Sequence, residues 1–162
     1  MTFGVLTKAV GSLLWLLSGF FLSVEINKYN KRKLTQAEAF IALIKNIRLK
    51  IECYAMPIPD ILASCDGKII SECGGENADR SSLKSFYETL RLAIDGAGKK
   101  AIRDFCMTVG SGYKENEIKV CDTYIEELIS YRSLLSDKLP GTEKLCTTVC
   151  VCGFGMLLLI LI

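Results

Sequence analysis

The charges of this 162-residue chain are confined to its middle: all 18 Asp and Glu and 19 of the 20 Lys and Arg lie between Glu25 and Lys144, and Lys8 is alone in the remaining 42 residues. Two apolar ends therefore flank a polar centre. Ionised side chains are costly in hydrocarbon and long apolar runs are costly in water, so this segregation predicts a chain that occupies both phases. The first run, Thr2 to Val24, carries one charge in 23 residues. As a helix it reaches about 34 Å, enough for a hydrocarbon core of about 30 Å, with Lys8 snorkelling to the near interface. A cleaved signal peptide is the competing reading, but it wants a basic segment before the run and a small-x-small site after it, and Ser23-Val24-Glu25-Ile26 follows instead. The second run, Cys146 to Ile162, has 17 residues and no charge, and its last six are all Leu or Ile. It stands at the short limit for a span, and a buried core helix is the alternative.

The flanking cations give an orientation. Lys28, Lys31, Arg32 and Lys33 follow the first run, and Arg132, Lys138 and Lys144 precede the second. Because Lys and Arg near span ends are retained on the cytoplasmic side, the middle is expected in the cytoplasm, with both termini outside and the basic flanks against membrane lipids. The middle itself holds 19 cations against 18 anions. That balance excludes nucleic-acid binding by phosphate neutralisation. The chain has no histidine and no GxxxxGK[ST] loop, which removes the commonest general base and metal ligand together with P-loop nucleotide hydrolysis. No enzyme, cofactor or metal site is expected.

Apolar residues in the middle recur at three and four, the helical period. One helix is predicted from Leu34 to Tyr54, with Leu34, Ala37, Ile41, Ile44, Ile47 and Ile51 along a stripe, ending where Met56-Pro57-Ile58-Pro59 cannot continue it. A short helix can open at Pro59, closed by Gly67 or by Gly74-Gly75. Another, capped by Asp79 or Ser81, carries Leu83, Phe86, Leu90, Ala93 and Ala97 and stops at Gly96 or Gly98. A further helix from Lys99 carries Ile102, Phe105 and Val109 as far as Gly110-Ser111-Gly112. The last begins near Lys114, and its residues Ile118, Cys121, Ile125, Leu128, Arg132, Leu135 and Leu139 form a heptad seam interrupted at Arg132. Such a seam packs within one bundle or between two copies by self-association. Pro140 and Gly141 follow, and they predict a flexible joint before the second span. The fold expected is all-α: an N-terminal transmembrane helix (1–26), a cytoplasmic helical bundle (27–145) and a C-terminal transmembrane helix (146–162).

Eight cysteines form no C-x-x-C pair, so a zinc site would need ligands from unrelated helices, and a cytoplasmic middle keeps its thiols reduced. Cys53, Cys106 and Cys121 read as small core residues. Cys146, Cys150 and Gly153 make a small-residue stripe on the second run. Glu115 with Glu117, and Glu126-Glu127, read as acids on solvated faces. A membrane thiol relay through the Cys-rich end is the reading from a different class, and a small dimerising membrane scaffold is the third.

In this order the parts resemble the stage III sporulation protein AB family of endospore-forming bacteria, itself similar to the F platform protein of type II secretion. Three segments carry the resemblance: the helix closing on Ile51 with Tyr54 and Pro57-Ile58 after it, the FCMTVG segment from Phe105 to Gly110, and the lysine-bearing entry to the last span, EKLCTTVCVCGFG. Val109 stands where the family tends to have leucine, and Glu117-Ile118 where it often has glutamine. The resemblance implies a non-enzymatic component of a secretion-like assembly in the mother-cell membrane around the forespore. Other stage III sporulation membrane proteins and a cytoplasmic sporulation ATPase would be its partners.

Overall fold

A computed structural model describes the backbone of residues 2–110 and 112–161, and the side chains of residues 24–110 and 112–137 together with Ser18, Phe21 and Thr148. All regular structure among them is helical, as six helices: α1 (Thr2–Tyr54), α2 (Ile58–Ala63), α3 (Gly67–Glu72), α4 (Leu83–Thr89), α5 (Gly96–Thr108) and α6 (Lys114–Leu161). The chain divides into two compact units, Met1–Lys31 with Ser136–Ile162, and Arg32–Leu135.

The second unit is built on the predicted stripe. Ala37, Phe40, Ile44, Ile47 and Ile51 of α1 are buried, and Cys121, Ile125 and Leu128 of α6 join the same core. The seam of α6 is thus used inside the chain, and its polar interruption has an intramolecular purpose: Arg132 Nη2 lies 2.7 Å from Glu38 Oε1 of α1. A second tie, Arg48 Nε to Asp122 Oδ1 at 2.6 Å, joins the same two helices. Between them Phe105 of α5 is buried, its ring edge-on to Tyr124 of α6 with centroids 5.8 Å apart.

Helix α1 ends at Tyr54 as predicted, but through an uncommon residue. Ala55 has φ +47°, a left-handed conformation that glycine adopts freely and alanine adopts at a cost of about 1 to 2 kcal/mol. Pro57 then sits outside α2 in an extended conformation, and Pro59 occupies the first turn of α2, where its missing N–H has no helical partner to lose.

Three expected boundaries are corrected. The helix expected from Asp79 or Ser81 to Gly96 is α4 alone: Ser82 caps it by accepting the Ser85 N–H at 3.1 Å, and it ends at Thr89. Residues 90–95 are not helical, and Gln36 of α1 takes two of their donors. Its Oε1 accepts the N–H groups of Ala93 at 2.7 Å and Ile94 at 3.1 Å, which a continuing helix would have aimed at its own carbonyls. Its Nε2 donates to the carbonyls of Cys73 at 2.8 Å and Arg91 at 3.0 Å. Helix α5 accordingly starts at Gly96, not Lys99, and Gly98 lies inside it. A Cβ on Gly98 would stand 2.6 Å from the Tyr131 ring, so glycine here permits close packing and does not end a helix. Finally, α1 and α6 do not begin at Leu34 or end at Leu139. Each runs on into the apolar end, and α6 passes through Pro140 and Gly141 to Leu161. A proline deletes one N–H and crowds one carbonyl, a local penalty that long helical flanks outweigh.

Candidate functional site

An open groove of about 620 Å³ lies where α1 ends and the turns before α2 and α6 meet α4 and α5. Ile51, Met56, Ile58, Leu83, Met107 and Val109 supply its apolar wall, while Lys84 and Lys114 bring ammonium groups. Met107 is 46% exposed. Tyr54 (72% exposed) adjoins the groove residue Ala55 in the chain, and Tyr113 (91% exposed) stands between the groove residues Gly112 and Lys114. Met107 is therefore the large exposed apolar side chain that the groove itself presents.

Two turns shape this groove. The first is the strained Ala55 turn, held by the Ala55 N–H donating to the Ile51 carbonyl at 3.2 Å. The Lys114 ammonium donates to the Glu52 carbonyl at 2.6 Å, which satisfies one of the acceptors left open where α1 ends. The second turn belongs to Glu117, which is buried at 6% exposure, a correction to its reading as a solvated acid. Its carboxylate accepts the Gly110 N–H through both oxygens at 3.0 Å and the Gly112 N–H through Oε1 at 2.6 Å. Gly110 has φ +111°, open to glycine and to almost no other residue, so this turn needs both the glycine and the carboxylate that clamps it. A carboxylate returning from the first turn of a helix to the N–H groups before it also suits the helix dipole.

Of the residues on which the resemblance rests, Ile51, Pro57 and Gly110 line this groove. Phe105 is buried in the core, and Tyr54 is exposed at the end of α1. The basic residues of the first flank divide. Lys28 is 3.7 Å from Glu25, whereas the Lys33 ammonium, on a side chain only 12% exposed, is held at 2.6 Å by Asp95 Oδ2. Tyr131 Oη donates to the other Asp95 oxygen at 3.2 Å, and the Lys33 hydrogen bond, more than any other contact, holds the Asp95 carboxyl below the usual carboxylate range. Lys31 and Arg32 continue α1. Lys138, Lys144, Pro140 and Gly141 lie outside the residues whose side chains are described, as do the two expected spans apart from Ser18, Phe21, residues 24–26 and Thr148. Among the described residues no helix is long and apolar enough to cross a membrane.

The thiols are structural in their surroundings. Cys65, Cys73, Cys106 and Cys121 are buried, and Cys53 is exposed. Burial pushes the Cys106 thiol up to about 12 and that of Cys121 to about 11, and it raises Cys65 and, well beyond these, Cys73. Thiols so placed stay protonated near neutral pH and are poor nucleophiles and ligands. Among the described residues no group of three or more Cys, Asp and Glu stands where it could hold a metal ion.

Sequence reasoning missed Gln36, Ala55, Lys84 and Glu117. Gln36 had a signal, since it lies on the stripe that continues as Phe40, Leu43 and Ile47, where a polar side chain demands a buried partner. Glu117 had one too: an acid in the first turn of a helix behind Gly110-Ser111-Gly112. Ala55 had none, because nothing in the sequence marks an alanine for positive φ.

The described residues define an all-helical bundle with an apolar, lysine-edged groove and mostly buried thiols. More particularly, the chain belongs to the stage III sporulation protein AB family, which it matches over residues 8–162. No curated protein and no solved structure matches it.

Proposed function

We propose that this protein is a non-enzymatic membrane component of a secretion-like channel assembly between mother cell and forespore, in which the bundle docks a cytoplasmic ATPase and the apolar ends hold it among other stage III membrane proteins. Membership of the sporulation family carries the reading. The arrangement of the chain supports it. The two apolar ends fall in one compact unit, as a pair of adjacent spans would. The cation asymmetry favours a bundle in the cytoplasm with both termini outside. In this reading Lys28, Lys31, Arg32, Lys138 and Lys144 meet anionic headgroups at about 1 kcal/mol each, and Lys33 holds the α5 entrance instead. Pro140 and Gly141 become the weakest turn of a continuous α6, a place to bend and not a break.

The thiol relay finds no support in the bundle, whose four buried thiols are protonated. The test is deletion in a sporulating host with complementation by the wild-type chain and by a variant lacking all eight cysteines. Loss of spore formation on deletion and recovery with both chains is expected. Normal spore yield from the deletion strain refutes the scaffold, and failure of the cysteine-free chain at equal protein level favours the relay.

A further inference from the structure

We propose that the groove between the Ala55 turn and the Glu117-clamped turn binds a protein segment in which large apolar side chains are flanked by Asp or Glu. The inference rests on the scaffold reading for its biological setting and on the groove's chemistry for its content. The wall is aliphatic and thioether-bearing, with Met107 at its exposed margin, and unbranched methionine adapts its shape to varied apolar knobs.

The charge is one-sided. Lys84 and Lys114 are the cations lining the groove, and the carboxylate that lines it, Glu117, is already occupied by the N–H groups of Gly110 and Gly112. An arriving carboxylate therefore meets the exposed Lys84 and, beside it, the Lys114 ammonium that already donates to the Glu52 carbonyl, with no exposed anion of the lining, whereas an arriving cation meets repulsion. The strained Ala55 turn forms part of the same wall, and conformations of that kind persist at sites where shape is used.

The test uses the full-length protein in phosphatidylcholine nanodiscs, with empty discs as blank, and two fluorescent amphipathic peptides of about four helical turns. Both peptides carry the same Leu and Phe positions, one with Glu and one with Lys at every polar position. The acidic peptide is expected to bind at least about tenfold more tightly than the basic one, which is about 1.4 kcal/mol. Lys84→Glu should remove that preference and Met107→Ser should weaken the acidic peptide several-fold, both being exposed positions whose variants are checked for an unchanged melt. Equal binding of the two peptides, or acidic binding that survives both substitutions, overturns the proposal. So does a protein that ignores the peptides but captures phosphatidylglycerol vesicles in a Lys84-dependent way, which would make the groove a lipid site. In cells the two readings separate. If deletion blocks sporulation while Lys84→Glu and Met107→Ser sporulate normally, the groove fails and the scaffold stands. If deletion has no effect, the scaffold fails and the peptide titration still decides the groove.

Discussion

Single residues set the shape of the bundle more than its composition does. Gln36 is 2% exposed and makes four hydrogen bonds to backbone groups of two separate stretches: Cys73 in one, and Arg91, Ala93 and Ile94 in the other. Gln36→Ala would strand the buried Cys73 carbonyl and Ile94 N–H and open the part-buried Arg91 and Ala93 groups, at about 1 to 3 kcal/mol for each buried one left unpaired. We expect a loss of at least about 3 kcal/mol in urea unfolding followed by circular dichroism, and a loss under 1 kcal/mol would show that water replaces the clamp. Ala55 predicts the opposite sign. Ala55→Gly should stabilise the chain by about 1 kcal/mol, since relief of the left-handed strain exceeds the added freedom of glycine when unfolded. A lower midpoint in the same urea experiment would mean that the methyl group contributes more by packing than it costs in strain. These two residues also mark how far the sequence could be read. The period of α1 announced which face would be buried, and Gln36 on that face was a visible anomaly. Its partners were not visible, because they lie from 37 to 58 positions away and are backbone atoms, which carry no sequence identity.

At the scale of elements, the long stripes were legible and the short connections were not. The helical periods of α1 and α6 gave their buried faces from Ala37 to Ile51 and from Cys121 to Leu128. The stripe through Leu83, Phe86, Leu90 and Ala93 has the same period yet spans a helix and a non-helical segment, because periodicity records burial and not hydrogen bonding. Likewise Gly96 and Gly98 read as stops although α5 begins at one and packs through the other. What fastens the entrance of α5 to α1 is the Lys33–Asp95 pair, whose Asp95 side chain is 65% exposed. Because the folded carboxyl is lowered, the pair stabilises the fold above the unfolded carboxylate value of about 3.9 and loses that contribution as pH falls through the lower folded value. Asp95→Asn is expected to be less stable than wild type at neutral pH by up to about 1 kcal/mol, with the gap closing in acid. Melting temperatures measured from pH 7 down to about 2.5 check this, and a gap that stays constant through the carboxylate range would remove the ion pair as its cause.

For the whole molecule, the segregation of charge was the most informative reading, and the topology it implies has a direct reporter. Cys65 and Cys73, placed in the middle of the sequence, are buried, whereas Cys53 is exposed. A thiol reagent that cannot cross membranes is expected to leave Cys53 unmodified in intact cells and to modify it after permeabilisation, in a variant whose other cysteines are serine or alanine. Modification in intact cells would reverse the orientation. The groove, by contrast, could not be read from the sequence as a site. Ile51, Pro57 and Gly110 stood out individually, and only the tertiary turns bring them together with Lys84 and Met107. The architecture also dictates an order of events during synthesis. The buried face of α1, with Phe40, Ile44 and Ile47, leaves the ribosome early, and the residues of α6 that complete the same core, Ile125 and Leu128, leave late. At about 5 to 20 residues per second, that face waits for several seconds without its final cover. A nascent chain of this protein therefore passes through an interval in which the apolar face of α1 is open to any neighbour.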